Sequence, residues 1–503
     1  MNVVGEFLLR SARRHPGRRA LVDGDVVLTY AQLQERVDRA VAGLRALGLR
    51  PGDRIAYHGN NRWELVVTLF AGFQGGFVVV PLNVMLRPAE LEHILAETAL
   101  KLVLTTSEGE AVAAQLQPKY GYRLSSYDDP AGLFAQWMAA PGPQARLEDR
   151  APDDVLALFF TSGTTGRPKG APIDHEFVGH LAESWLISCR YTPEDVFLVT
   201  TPMFWTVAPI HCIVPMVLAG GTIVLMNRFD LDRCCEMVVR HGVTSFFAVP
   251  TIYTMLIDRK PEALRAMTTL RVCSVAGAPV AAEIVEAFER LTGATLLNIY
   301  GATEAGAISR EMLGAPRKAG CAGTPGGTVE SVIVDESGNP VPPGTPGEVW
   351  ARGFTVIKGY WQEGRVNPAS LPGGWFRTGD IGVLEGGHFL RIIDRAKDMI
   401  ITGGANIYPA EVERVIATMA GVQMCALVGV PDRVMGEIPV AYVVPSAAGA
   451  VTPEALEAFC RDQLSSYKVP RRFVLVESLP LTPTGKIRKH DLRRQAAAEA
   501  GAP

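Results

Sequence analysis

The sequence predicts an α/β protein: a large N-terminal domain of two α/β subdomains plus a small β-barrel-like subdomain, followed by a small α+β C-terminal domain. Three observations lead there. Helical and strand patterns alternate through most of the chain. A helix, a Gly-Gly pair and a strand follow one another twice, over residues 63–80 and again over residues 215–225. Between residues 320 and 395 Gly, Pro, Val and Thr dominate and the apolar runs become short and alternating. Length agrees, because 503 residues at about 100–200 per domain give about two to four domains.

Taken in order, Leu33, Val37, Ala40, Val41 and Leu44 fall at helical spacing, so residues 31–47 read as an amphipathic helix with Thr29 as its cap. Residues 53–57 follow Pro51-Gly52 and read as a strand. Residues 63–73 read as a helix, Gly75-Gly76 as a turn and residues 77–80 as a strand. The echo is a helix at 215–219, a turn at Gly220-Gly221 and a strand at 222–225. A third α/β stretch runs from Leu231 to a strand at 246–249. Short strands follow at Val329–Val334, 348–352 and 388–393, then two helices at Pro409–Ala417 and 453–464. The segment 485–494 is rich in Lys and Arg.

Composition excludes several classes. Hydrophobic residues at 48% and charged residues at 20% rule out a mainly disordered chain. A net charge of −3 argues against a dedicated nucleic-acid binder. The 8 cysteines form no C-x-x-C pair, and adjacent Cys234-Cys235 are poorly placed to chelate one zinc, so reduced thiols in a cytoplasmic chain are expected. Two windows, residues 65–86 and 196–227, hold no Asp, Glu, Lys or Arg and are long enough to span a bilayer. The first is broken by Gly72, Gly75, Gly76 and Pro81, the second by Pro202, Pro209, Pro215 and Gly220-Gly221. Breakers at that density point to buried core, with no integral membrane contact. The N-terminal arginines precede no uninterrupted apolar stretch, so no secretory signal is expected.

The sharpest chemical signal is Thr161-Ser-Gly-Thr-Thr-Gly-Arg-Pro-Lys-Gly170. It packs four hydroxyls, three glycines and Lys169 into ten residues, directly after an apolar strand at 155–160. Glycines let backbone N–H groups turn toward an anion, hydroxyls add donors, and the lysine adds mobile charge. Thr161, Ser162, Gly163, Thr164, Thr165 and Lys169 are therefore candidates for gripping phosphate. The pattern is not a standard P-loop, since Pro168 stands where that motif needs its second glycine.

This segment resembles the signature of the adenylate-forming superfamily, which holds acyl-CoA synthetases, aryl-CoA ligases, firefly luciferase and peptide-synthetase adenylation domains. Four further motifs of that family follow in order. Asn298-Ile-Tyr-Gly-Ala-Thr-Glu304 resembles Y-G-x-T-E. Trp375-Phe-Arg-Thr-Gly-Asp380 resembles W-x-x-T-G-D. The stretch from Asp394 to Pro409 resembles the hinge and glycine motif, and Pro483-Thr-Gly-Lys-Ile-Arg-Lys489 the C-terminal lysine motif. The likeness runs from about Phe7 to about Arg494, nearly the whole chain.

The resemblance implies ATP, Mg²⁺ and coenzyme A as co-substrates and cofactor, and it implies roles residue by residue. Glu304 is the magnesium-associated carboxylate, with Thr303 beside it and Tyr300 and Gly301 in the same loop. Asn298, Gly277 and Ala278 approach the nucleotide; for Gly277 an ordinary strand-to-helix turn is the alternative. Asp380 accepts the ribose hydroxyls and Arg395 adds charge nearby. Lys486, which composition alone would assign to a solvated basic tail, grips carboxylate and α-phosphate oxygens during adenylation. Lys397 is the hinge between a domain at 1–396 and a mobile lid domain at 397–503. After rotation, Gly403 and Gly404 face the pantetheine tunnel. One position departs from the family: Trp205 stands where its aromatic-gate motif often has His.

The acyl pocket is expected from residues 205–211, 246–250, 274–278 and 298–303, with Trp205, Phe247 and Ala276 on its wall. These stretches contain no Lys or Arg, so a hydrophobic acid (aryl, fatty or polycyclic) is favoured over a dicarboxylate. The implied activity is ATP-dependent carboxylic acid–CoA ligation. The acid becomes acyl-AMP with release of pyrophosphate, and its acyl group then passes to the CoA thiol with release of AMP. The alternative is an adenylating enzyme that hands its acyl group to a carrier-protein thiol or a partner ligase. A carrier protein, an enzyme that uses the acyl-CoA and a second copy of the chain are the candidate macromolecular partners; nucleic acid is not among them.

Overall fold

Apolar runs closed by glycine set the layout of the molecule. The structure is a computed structural model that describes residues 4–140, 147–162, 168–402, 405–432, 434–447, 449–481 and 487–499. The helix Tyr30–Ala46 starts at a reciprocal cap: the Gln32 N–H donates to the Thr29 hydroxyl and the Thr29 N–H to the Gln32 amide oxygen, at 3.2 and 2.9 Å. It buries Leu33, Val37, Ala40, Val41 and Leu44, the residues that fall at helical spacing.

The first uncharged window forms the helix Trp63–Gly75, buried almost all round, and the fully buried strand Val78–Leu82. Between them Gly76 caps the helix at φ +75°, a left-handed conformation that glycine adopts without strain. The second window forms the helix Val214–Ala219, a cap at Gly220 and the strand Thr222–Leu225. Its helix is preceded by a π-helical turn, Val207–Ile213, that periodicity does not reveal. Pro209 and Pro215 have no N–H to donate, and the Val214 N–H reaches the Pro209 carbonyl five residues back. Among the described residues no helix is long and apolar enough to cross a membrane.

The two Gly-Gly strands enter different sheets, as the echo in sequence implies. Val78–Leu82 lies in an eight-stranded sheet, parallel to Arg54–His58, which also takes in Val155–Ser162 and Pro168–Asp174. Thr222–Leu225 lies in a nine-stranded sheet. There Val196–Val199, Ser245–Ala248, Val272–Val275 and Thr295–Ala302 are successive parallel neighbours, and Gly306–Arg310 returns antiparallel to the last. Leu198, Phe246, Tyr253, Val275 and Phe288 are part of the core packed on this sheet.

The chain divides into two compact units: Met1–Ser331 with Ala351–Phe376, and Val332–Trp350 with Arg377–Pro503. Compactness thus places position 397 inside the second unit. In that unit Phe376–Glu385 pairs antiparallel with Phe389–Arg395, and Val422–Asp432 with Gly436–Pro445. The helices Pro409–Ala417 and Pro453–Gln463 pack their Val412, Ile416, Leu456 and Cys460 against Leu427 and Ala441 of that second pair. The helix Lys489–Glu499 supplies Leu492 and Ala496 to a second cluster around Ala426 and Val428. The basic segment at its start is neutralised locally, by Lys489–Glu413 at 2.8 Å and Arg493–Asp398 at 2.8 Å.

Candidate active site

Four parallel strands bring the four expected pocket segments to one edge of the nine-stranded sheet. Phe247 pairs with Ser274 and Val275 with Asn298, so residues 276–278 leave their strand end beside Asn298 of the next strand. Ligands of open α/β sheets bind outside such carboxyl ends. Phe247 is buried there, with its carbonyl held by the Thr200 hydroxyl at 2.5 Å. Ala276 is half-buried, and Gly277 and Ala278 are exposed, Gly277 at φ +91°. Asn298 is turned inward: its side-chain amide donates to the Cys321 carbonyl at 3.0 Å, and its N–H to the Glu311 carboxylate at 2.9 Å. Burial pushes the Glu311 pKa up to about 7.

Thr303 and Glu304 sit at the tip of the hairpin between Thr295–Ala302 and Gly306–Arg310. The hairpin closes so tightly that a Cβ on Gly301 would lie 1.9 Å from the Gly306 carbonyl oxygen, so only glycine fits. Glu304 is 9% exposed, and one of its carboxylate oxygens accepts two hydroxyls. Thr161 donates at 3.0 Å from the strand that leads into the glycine-rich loop, and Tyr360 at 3.1 Å. The Ile357 N–H also donates to the Glu304 carbonyl at 2.8 Å. Thr303 receives a 2.9 Å hydrogen bond from Thr206, which follows Trp205 directly. The Trp205 indole N–H is buried without an acceptor among the described residues.

Tyr360 was not among the residues the motifs singled out, and the fold shows why it matters. Its strand, Tyr360–Gln362, joins the eight-stranded sheet through Trp361 opposite Gly170. That places the Tyr360 ring under the Lys169 ammonium at 5.0 Å, within the range of a cation–π contact. His93 holds the same hairpin through the Pro168 carbonyl at 2.9 Å. Gly163, Thr164 and Thr165 lie outside the described residues, as do Gly403, Gly404 and Lys486; of Ser162 the backbone alone is described.

In the second unit Asp380 and Arg395 face each other across the antiparallel pair, with Nε to Oδ1 at 3.0 Å. Thr378 braces this turn, accepting from the Asp380 N–H at 3.0 Å and donating to the Val349 carbonyl at 2.7 Å. Lys397 lies exposed in the short turn Ala396–Asp398. The chain on either side of it is tied down: Asp394 accepts the N–H of Ala410 at the start of the helix Pro409–Ala417, at 2.7 Å, and Asp398 binds Arg493.

Hydroxyls, glycines and one carboxylate gathered beside parallel strand ends define an α/β enzyme of the nucleotide-binding class. The chain belongs to the AMP-binding enzyme family: the family model matches residues 8–361, and that of the AMP-binding enzyme C-terminal domain matches residues 411–486. A feruloyl-CoA synthase of Amycolatopsis sp is 37% identical over 496 residues, covering 98% of this chain and 99% of the relative. Among solved structures, ATP-bound MatB from Rhodopseudomonas palustris is 28% identical and superposes with a TM-score of 0.91, covering 98% of this chain and 99% of that one. The o-succinylbenzoate CoA synthetase MenE from Bacillus subtilis, in complex with the acyl-adenylate OSB-AMP, is 29% identical with a TM-score of 0.85 over 97% of this chain and 98% of that one.

Proposed function

We propose that this chain joins an aryl carboxylic acid to coenzyme A. The reaction is that of an AMP-forming acid–thiol ligase using ATP, Mg²⁺ and CoA. A carboxylate oxygen attacks the α-phosphorus of ATP and pyrophosphate leaves. The CoA thiolate then attacks the acyl carbon of the acyl-adenylate, and AMP leaves. The observation that carries the reading is the convergence on Glu304 of a hydroxyl from the glycine-rich hairpin and one from Tyr360, with Thr206 bonded to neighbouring Thr303. Two distant stretches of chain thereby hold one carboxylate, and a third holds the residue before it. The 37% identity to a feruloyl-CoA synthase over nearly full length supports an aryl acid and CoA as acceptor, over a carrier-protein thiol.

Negative charge crowds such a reaction centre, so catalysis is mainly positioning and charge neutralisation. The oxygen donors fit magnesium: Thr161 and Tyr360 occupy one Glu304 carboxylate oxygen, and the other has no protein donor among the described residues. One carboxylate with substrate phosphates is the usual way Mg²⁺ is held in ATP-using sites, and when bound it neutralises phosphate charge. In this reading Lys169 and the backbone of residues 163–166 hold the β- and γ-phosphates, Asp380 holds the ribose and Arg395 orients Asp380. Lys486 holds the attacking carboxylate until the chain turns at Lys397 and Gly403-Gly404 meet the thiol. A pyrophosphate-release screen over cinnamic, benzoic, medium-chain and long-chain fatty acids, with and without CoA, tests the substrate class. We expect cinnamic acids to lead; a tenfold preference for a fatty acid would overturn it.

A further inference from the structure

A buried arginine with no carboxylate partner among the described residues lies next to the pocket segments. Arg310 ends the strand Gly306–Arg310, opposite Ile299, and is 7% exposed. Its guanidinium donates to the Ser184 hydroxyl at 2.6 Å and, at 3.5 Å, to the Ala307 carbonyl. No Asp or Glu pairs with it among the described residues. A buried charge is normally paired, because desolvation otherwise costs several kcal/mol. Burial does pull the Arg310 pKa down to about 10, still charged at neutral pH.

A second donor lies close by. His211 sits in the π-helical turn that follows Trp205 and Thr206, and the Trp185 indole donates to its Nδ1 at 3.4 Å. That bond fixes the proton on Nε2, which has no protein acceptor among the described residues. Burial first, and the Arg310 charge second, drive the His211 pKa down to about 3, so the ring is a neutral donor. Ser184 and Trp185 belong to the helix His175–Cys189, which therefore faces Arg310 on one side and the π turn on the other. Along the strand Arg310 lies four residues, roughly 13 Å at ~3.3 Å each, beyond Gly306.

We infer that Arg310 and His211 form a specificity subsite for an oxygen acceptor that the acid carries besides its reacting carboxylate. This rests on the aryl–CoA ligase reading and sharpens it to oxygenated aryl acids, with a ring hydroxyl, methoxyl or second carboxylate as the acceptor. A site built to hydrogen-bond such a group rejects the analogue that lacks it, because its own donors are then left unpaired.

The test compares kcat/KM for pyrophosphate release with cinnamate, 4-hydroxycinnamate, 4-hydroxy-3-methoxycinnamate and 4-carboxycinnamate. The wild-type protein is expected to favour the oxygenated acids over cinnamate by about tenfold or more. Arg310→Met should bring that ratio toward one, and His211→Phe should lower it by a smaller factor. If the 4-carboxy acid leads, the acceptor is an anion; if the hydroxylated acids lead, it is neutral. A wild-type ratio near one, or an unchanged ratio in folded Arg310→Met, overturns the subsite while leaving the ligase reading intact. Turnover of no cinnamic acid at all overturns both. Should Arg310→Met not fold, Arg310→Lys together with His211→Phe decides the question by the same ratio.

Discussion

The two uncharged windows share one order, helix, Gly-Gly, strand, and do different work. Residues 65–86 make a regular helix and a strand that are buried almost throughout, and their polar groups serve the scaffold: Gln74 pairs with Gln34 at 2.8 Å. Residues 196–227 begin their helix in a π turn and hold a neutral buried histidine. They also hold a tryptophan whose N–H has no acceptor among the described residues and a threonine bonded to Thr303 beside Glu304. The same packing solution is thus kept regular where it carries load and irregular where it meets substrate. Departures from local rules, which cost stability, mark the functional copy.

That contrast can be broken from either side. Phe70→Ala, in the first window and fully buried, should cost about 3–5 kcal/mol in urea unfolding while kcat/KM per folded molecule is unchanged. A changed acid preference would show that the first window is not scaffold alone. Glu304→Gln should lower acid-dependent pyrophosphate exchange by about 10²–10³-fold, with thermal stability barely altered. Equal losses in exchange and stability would make Glu304 a structural residue.

Glu311 gives a pH test at the edge of the site. Its folded pKa is raised by burial to about 7, so the folded state holds a proton that the unfolded state releases at lower pH. Stability is therefore expected to fall as pH rises from about 4.5 to 7, by at most about 3 kcal/mol, and Glu311→Gln should flatten that slope. Unfolding curves at pH 5 and 8 check it. The smallest effect is Thr206→Val, which removes the bond to Thr303: about a tenfold loss in kcat/KM with little change in melting temperature.

Much of this was legible in the chain. Thr29 announced its cap, the Gly75-Gly76 and Gly220-Gly221 pairs their turns, and the sequence pattern located the strand Val329–Val334 and the helix Pro409–Ala417 to the residue. The glycine-rich segment was readable because phosphate chemistry demands unusual composition, and the Glu304 loop through its resemblance to a family motif. Tyr360 and Arg310 were not. Each lies in a short strand where a tyrosine or an arginine carries no signal of its own, and their meaning comes from partners 56 and 126 residues away. The π turn was hidden as well, since two prolines in an apolar run read equally well as helix breakers.

The measurement that tests the account most directly is product analysis of the purified protein with ATP, Mg²⁺, CoA and 4-hydroxy-3-methoxycinnamate. AMP and the CoA thioester are expected in equal amounts, both dependent on the acid. AMP without thioester, or no acid-dependent pyrophosphate release from any aryl acid, would contradict it.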